Sequence, residues 1–313
     1  MKKYDLIIIG AGPAGLSASI YASRYKINHL VLGGPNLGGT ISWAHQVENY
    51  PGFSSISGPK LAQNFLKHAQ GLGGKIINQE VIELKRVNGS TALVTDNKKQ
   101  YQAKAIIIAT GTKRKKLNVP GEDKYLGKGV SYCATCDAAF YKNKTVVVIG
   151  GANSACSGAL HLAHFAQKIY LIYRKSKLRA DPAWVTEVKA TKNITILYNN
   201  NVTAIEGDNQ KVTQVKLDQP YQSQKNLLTA GVFIEIGGNP IVDLVKSLGV
   251  KTDNQNYILT NQSMATNISG VFCAGDVNAW QKQCQQVIIA AAEGAIAAIS
   301  AYQYLEQSPK NTP

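Results

Sequence analysis

Residues 5–15 read DLIIIGAGPAG and residues 145–155 read TVVVIGGANSA. Each stretch begins as a run of β-branched and other apolar residues, the pattern of a strand buried on both faces in a parallel sheet. Each then meets glycine and opens a run of small residues that predicts a helix, over 16–24 in the first copy and 156–165 in the second. A further apolar run follows each helix, at 29–32 and at 169–172. Strand, glycine turn, helix and strand thus occur twice, which predicts two dinucleotide-binding units in one chain. In the first turn Gly10 permits the sharp exit from the strand. Gly12 lets the backbone approach a pyrophosphate, and Gly15 lets helix and strand pack closely, with Pro13 and Ala14 between them. The helix N-terminus brings N–H groups and the positive end of its dipole to the phosphate charge. The second turn has Gly150, Asn153, Ser154 and Ala155 but carries Ala152 at the middle glycine position. A methyl group there projects where the backbone should come close to the pyrophosphate.

More of the first unit lies at the far end of the chain. Residues 105–111, AIIIATG, predict another strand with its exit at Thr110 and Gly111. Residues 270–276, GVFCAGD, predict a strand ending in Gly275 and Asp276, ahead of a long helix over 287–304. The second unit is therefore expected to be inserted in the first. The predicted fold is α/β with two Rossmann-like dinucleotide-binding domains, one of residues 1–115 with 245–313, the other of residues 116–244.

The length of 313 residues suits two domains. A hydrophobic share of 44% against 17% charged residues excludes a disordered or fibrous chain. No run reaches the roughly 18 apolar residues of a membrane span. The nearest, 287–301, is interrupted by Glu293 and reads as a packed helix. Met1, Lys2 and Lys3 lead straight into an apolar run without a cleavage site, so the expected location is the cytoplasm, away from membranes. There are 34 Lys and Arg against 19 Asp and Glu, a formal charge of +15. The cations are scattered except at Lys113, Arg114, Lys115 and Lys116, just before Pro120 and Gly121. With no nucleic-acid motif around it, this cluster reads as a linker presenting a solvated face or a docking surface for an acidic protein.

The five cysteines are Cys133, Cys136, Cys156, Cys273 and Cys284. An odd number in a long chain argues against a disulfide framework. A structural zinc site would need a second close pair, and the five histidines form no HExxH, so no metal is expected. Residues 131–137 read SYCATCD. With metal set aside, the CxxC points to redox chemistry: one thiol attacks a substrate disulfide and the other resolves the mixed disulfide. Asp137 is placed to hold or deliver a proton, and the nucleotide units offer an electron source.

Together, GAGPAG at 10–15, ENYPG at 48–52, CATCD at 133–137 and the pair Gly275-Asp276 resemble the low-molecular-weight bacterial thioredoxin reductases, over nearly the whole chain. The resemblance implies FAD on the first unit, NADPH on the second, and a disulfide passing electrons to thioredoxin or a thioredoxin-like protein. It also implies a homodimer whose two domains alternate between orientations. Cys136 would face the flavin, Cys133 would attack thioredoxin and Asp137 would be the acid/base. The flavin contacts implied are the Gly10–Gly15 turn, the loop Gly38-Gly39-Thr40, Asn49, the strand exits at Thr110-Gly111 and Gly275-Asp276, and Gln285, Gln286 and Val287. The NADPH contacts implied are Gly150 with Asn153, Ser154 and Ala155, then Arg174, Lys175 and Arg179 for the 2′-phosphate, and Ile236 with Gly237.

The chain departs from the family at several places. Leu32, Gly33 and Gly34 stand where a ribose-binding acid is expected, and Thr40 where the family has Gln. Two extra residues follow Asp276, and Gln285-Gln286 replaces Arg-Gln. Ala152 and Asn153 replace Gly and Asp in the second turn. A second reading keeps the flavin and the CxxC but takes electrons from ferredoxin or flavodoxin, to which a basic surface is suited. A third is a non-catalytic flavin-binding redox sensor, against which the intact CATCD argues.

Overall fold

The computed structural model describes residues 1–87, 89–280 and 284–307. Six α-helices occur among them: α1 (Pro13–Arg24), α2 (Gly58–Gly71), α3 (Ala134–Asp137), α4 (Asn153–Ala163), α5 (Pro182–Ala190) and α6 (Val287–Gln307). The chain divides into two compact units. The first is Met1–Ser42, Val47–Lys113 and Asn239–Pro313; the second is Arg114–Gly238 with the segment Trp43–Gln46. Where the chain crosses between them, the short strands Thr112–Arg114 and Gly238–Pro240 pair as a ribbon.

The first unit is built on a seven-stranded sheet. Strand Lys2–Ile9 lies between His29–Leu32 and Gln100–Ile108, parallel to both, with Leu6 opposite His29 and Ile7 opposite Ile106. Beyond Gln100–Ile108 the sheet divides. The first half of that strand continues into the antiparallel strands Ser90–Thr95 and Val81–Val87, while its last residues pair in parallel with Val271–Cys273. The second half of strand Lys2–Ile9, from Leu6 on, is buried on both faces because each parity meets its own core. Leu6 and Ile8 pack with α1 and α6 alanines, whereas Ile7 and Ile9 pack with Leu84, Val245 and Ile258. Helix α6 has the length and apolarity of a membrane span, and it buries Ala297, Ala298 and Ala301 completely in the first of these cores.

The second unit has five parallel strands in the order Ile194–Tyr198, Lys168–Tyr173, Thr145–Ile149, Gly231–Ile234, Val130–Ser131. A three-stranded antiparallel sheet, Val202–Gly207, Val212–Tyr221 and Gln224–Leu228, adds its own apolar face, with Val215 fully buried. Both crossover helices begin earlier than their apolar runs suggest. Helix α1 starts at Pro13 and α4 at Asn153, with Gly12 and Ala152 as N-caps in extended conformation. Proline suits the first helical position, where its missing N–H costs nothing.

Candidate active site

In the first unit the glycine turn is made by close approach. Gly10 has φ +112°, and a Cβ there would lie 2.1 Å from the Ala109 oxygen. A Cβ on Gly15 would lie 1.9 Å from the Gly10 oxygen, so helix and strand touch as the fold requires. The Gly12 N-cap provides no side-chain hydrogen bond, which leaves the first N–H groups of α1 available to a phosphate. The loop at Gly38-Gly39 is tied to this turn: Gly38 N–H donates to the Ala11 oxygen (2.8 Å), and a Cβ on Gly39 would lie 2.9 Å from the Gly12 Cα. Thr40 follows in a short 3-10 turn, Gly39–Trp43. Gly111 has φ +66° with open space where a Cβ would stand, and the Thr110 hydroxyl is committed to the Ile241 oxygen (2.9 Å).

The strand Val271–Cys273 delivers Gly275 and Asp276 beside the same helix. Gly275 has φ +82°, and a Cβ there would sit 2.8 Å from the Ala14 Cβ. The Asp276 carboxylate makes no hydrogen bond to a described residue, and burial pushes it up to about 6. Gln285 Nε2 donates to the Asp276 backbone oxygen (3.1 Å), and Asn49 Nδ2 donates to Gln286 Oε1 (2.9 Å). The structure thus brings Asp276, Gln285 and Gln286 together at the start of α6, with Asn49 joined to Gln286. The segment after Asp276 includes residues 281–283, outside the described residues, so its two extra positions are only partly seen.

One residue here lies outside the sequence expectations. Glu293 is 3% exposed and accepts the Gly275 N–H at 2.7 Å and Asn278 Nδ2 at 3.3 Å. It fixes the left-handed turn that presents Asp276. Its signal in the sequence was the single charge interrupting the apolar run of the last helix. An uncapped helix N-terminus, glycines that side chains would fill and a half-buried carboxyl without a hydrogen bond to a described residue fit FAD, whose pyrophosphate and hydroxyls match those groups.

In the second unit, Cys133 and Cys136 form a disulfide. The CxxC opens a helical turn: Cys133 is the N-cap of α3 and its Sγ accepts the Cys136 N–H at 3.2 Å. Cys136 is exposed, Cys133 is half-buried, and Asp137 closes the turn. Cys156 and Cys273 are buried and burial raises both thiols, so they are inert; Cys284 is exposed. Among the described residues no cluster able to hold a metal ion occurs.

At the second glycine turn, Gly150 has φ +145° and a Cβ would lie 2.2 Å from the Glu235 oxygen. The Tyr173 ring covers Gly151, 2.5 Å from where its Cβ would stand. Ala152 offers no side-chain cap, so the α4 N-terminus is open, with Ser154 exposed and Ala155 buried in the first turn. Asp181 stands at that helix end: Asn153 Nδ2 donates to its carboxylate (2.9 Å) and Asp181 N–H donates back to Asn153 (2.8 Å). Arg174, Lys175 and Arg179 are exposed and form no ion pair with a described residue. Gly237, beside Ile236, has φ +92° with open space where a Cβ would stand. Free cations and an open helix end fit a phosphorylated nucleotide, and the Asp181 carboxylate opposes it.

The basic cluster at 113–116 is partly consumed within the fold. Arg114 pairs with Glu235 at 3.0 Å and Lys116 with Asp123 at 2.6 Å. Glu235 is pushed up to about 7 by burial, against the pull of Arg114 and of the Ala134 N–H.

Residues 4–294 match the family model for pyridine nucleotide-disulphide oxidoreductases, and the chain belongs to that family. Within it, the chain is similar to a thioredoxin reductase of Listeria innocua, at 40% identity covering 98% of this chain and 95% of that one. The structure of Lactococcus lactis thioredoxin reductase matches with a TM-score of 0.92 at 35% identity, over 97% of this chain and 99% of that one. A ferredoxin-flavin thioredoxin reductase from Clostridium acetobutylicum matches with a TM-score of 0.54 at 34% identity, over 98% of this chain and 99% of that one.

Proposed function

We propose that this chain is a flavin-dependent thioredoxin reductase, passing electrons from NADPH through FAD and the Cys133–Cys136 disulfide to thioredoxin or a thioredoxin-like protein. The observation that carries this is the disulfide set at the N-terminus of a helical turn, in a chain with two dinucleotide folds. FAD supplies two-electron chemistry between a nicotinamide and a disulfide.

The first unit holds the flavin. The α1 N-terminus would meet its pyrophosphate, and Asp276, kept in place by Glu293, would accept hydrogen bonds from its hydroxyls. In the second unit the α4 N-terminus, Ser154 and Ala155 would receive the pyrophosphate of NADPH, and Arg174, Lys175 and Arg179 its 2′-phosphate. Ile236 and Gly237 would border the same nucleotide.

The disulfide takes up two electrons and one proton to give a thiol and a thiolate. The thiolate belongs on Cys133, whose sulfur already receives the Cys136 N–H. That thiolate attacks the thioredoxin disulfide, and one thioredoxin sulfur leaves as a thiolate. Cys136 then attacks the Cys133 sulfur, releasing reduced thioredoxin and restoring the Cys133–Cys136 bond. Asp137 gives and takes the protons these steps require. The same reading includes a homodimer in the cytoplasm, to be checked by sedimentation.

Cys133→Ser and Cys136→Ser should each reduce thioredoxin turnover to background while the flavin spectrum persists. Wild-type turnover in either variant overturns the proposal. A second reading, electrons delivered by ferredoxin, is favoured by Ala152 and by the Asp181 carboxylate at the α4 N-terminus.

A further inference from the structure

Within the second unit, a buried carboxylate that the exchange chemistry does not use is tied to the segment carrying the cysteines. Glu122 is 3% exposed. Its Oε1 accepts the Leu117 N–H (2.8 Å) and the Tyr132 hydroxyl, and its Oε2 accepts the Asn118 N–H (2.6 Å). Three donors on one carboxylate are what a charge away from water requires. Tyr132 is the residue before Cys133. Burial, with the Glu122 bond, holds its proton well above the usual tyrosine range, so the hydroxyl stays a donor. Ser131, buried at the end of the strand Val130–Ser131, makes a second tie: its hydroxyl accepts the Cys133 N–H at 3.0 Å. The charged groups around the turn are Glu122, Asp123, Arg114, Glu235 and Asp137. Helix α4 lies against Ala134 at Gly158 and carries Cys156 and His161, both uncharged near neutral pH because burial raises the thiol and lowers the imidazole.

While the disulfide is closed, the bond itself keeps the Cys133 sulfur at the N-cap of α3, where it accepts the Cys136 N–H. Reduction removes that cross-link. The sulfur then faces the N–H only as far as the Cys133 backbone is held in place. We propose that Glu122, acting through Tyr132, and Ser131 are positioning residues for Cys133: they keep it at the N-cap once the pair is reduced, where a thiolate is favoured. This rests on Cys133 and Cys136 being the redox pair. An N–H at a helix start stabilises a thiolate, and a wandering N-cap loses that stabilisation. Glu122 also holds Leu117 and Asn118, so the redox segment is fixed to the stretch by which the chain enters the second unit.

The test uses the full chain with flavin bound, its pair reduced by dithiothreitol and then freed of it. Alkylation of Cys133 by iodoacetamide is followed against pH by peptide mass. The midpoint of that profile reports the thiolate and needs no turnover. Tyr132→Phe keeps the ring and removes the hydroxyl, while Glu122 retains two N–H donors and with them its charge. The midpoint should rise by about half a pKa unit or more, so that the thiolate fraction below it falls roughly threefold. Ser131→Ala should shift it in the same direction. Tyr125→Phe is the control, because it removes a hydroxyl of the same unit that donates to the Gly207 oxygen (3.1 Å) and not to Glu122. It should leave the midpoint in place. An unchanged flavin spectrum in each variant establishes that the fold is kept. An unshifted or lowered midpoint in Tyr132→Phe, or an equal rise in Tyr125→Phe as a packing defect would give, overturns the proposal. If Tyr132→Phe does not fold, Ser131→Ala decides alone: a rise supports the proposal, and an unchanged or lowered midpoint overturns it. Wild-type turnover in Cys133→Ser would instead remove the redox-pair reading itself.

Discussion

Asp276 carries a cost in the flavin-free protein that flavin bound in the proposed site would relieve. Its carboxyl is raised from 3.8 to about 6 by burial alone. The neutral form is therefore favoured by folding, and that contribution is present at low pH and lost as pH rises through about 6. Above that pH the ionised side chain costs the flavin-free fold on the order of 3 kcal/mol. Asp276→Asn should raise the melting temperature of the flavin-free protein at pH 8 but not at pH 4. It should also weaken FAD binding by at least roughly tenfold, since a hydrogen bond to a charged group contributes about 1.5–3 kcal/mol. Thermal melts and flavin titration check both, and an unchanged melt at pH 8 would contradict the account. At the second turn, Ala152 and Asp181 both oppose the nucleotide, one by bulk and one by charge. Ala152→Gly and Asp181→Asn should each lower the NADPH concentration needed for half-maximal flavin reduction, and Arg174→Ala should erode the preference for NADPH over NADH. Stopped-flow reduction with both nucleotides measures this. Asp181 itself was not apparent from sequence, because nothing in the chain between Arg179 and Pro182 shows that its side chain returns to the α4 N-terminus.

Helices α1 and α6 meet through glycine. A Cβ on Gly294 would lie 2.0 Å from the Ala14 oxygen, so even alanine must push the helices apart at the turn proposed to hold the flavin. Gly294→Ala should destabilise the fold by roughly 1–3 kcal/mol, the usual cost of overpacking, and loosen FAD with it. Denaturant melts with and without flavin test this, and a neutral substitution would rule out the close packing. The two strand–turn–helix repeats could be read from sequence because buried parallel strands are continuously apolar and the turns are marked by glycine. The antiparallel strands Ser90–Thr95 and Val212–Tyr221 gave no such signal, since half of each faces away from a core. The helical turn at Ala134–Asp137 was missed for another reason. It is four residues long and rests on a sulfur accepting an N–H, which periodicity cannot register.

For the whole molecule, the sequence supplied the ingredients: two nucleotide folds, a CxxC and a basic charge of +15. It did not supply the ion pairs that withdraw Arg114 and Lys116 from the basic cluster, because their partners Glu235 and Asp123 are identified only by folding. What remains exposed near the second turn is Arg174, Lys175 and Arg179, the groups suited to a phosphorylated ribose. The central claim is an electron path from NADPH to a protein disulfide. It is tested most directly by anaerobic stopped flow on the flavin-loaded chain, mixing first with NADPH and then with oxidised thioredoxin. The account predicts loss of flavin absorbance on the first mixing and its return on the second, with stoichiometric thioredoxin thiols, in wild type but not in Cys133→Ser. Reduced flavin that leaves the thioredoxin disulfide intact, or that reduces it equally well without Cys133, would contradict it.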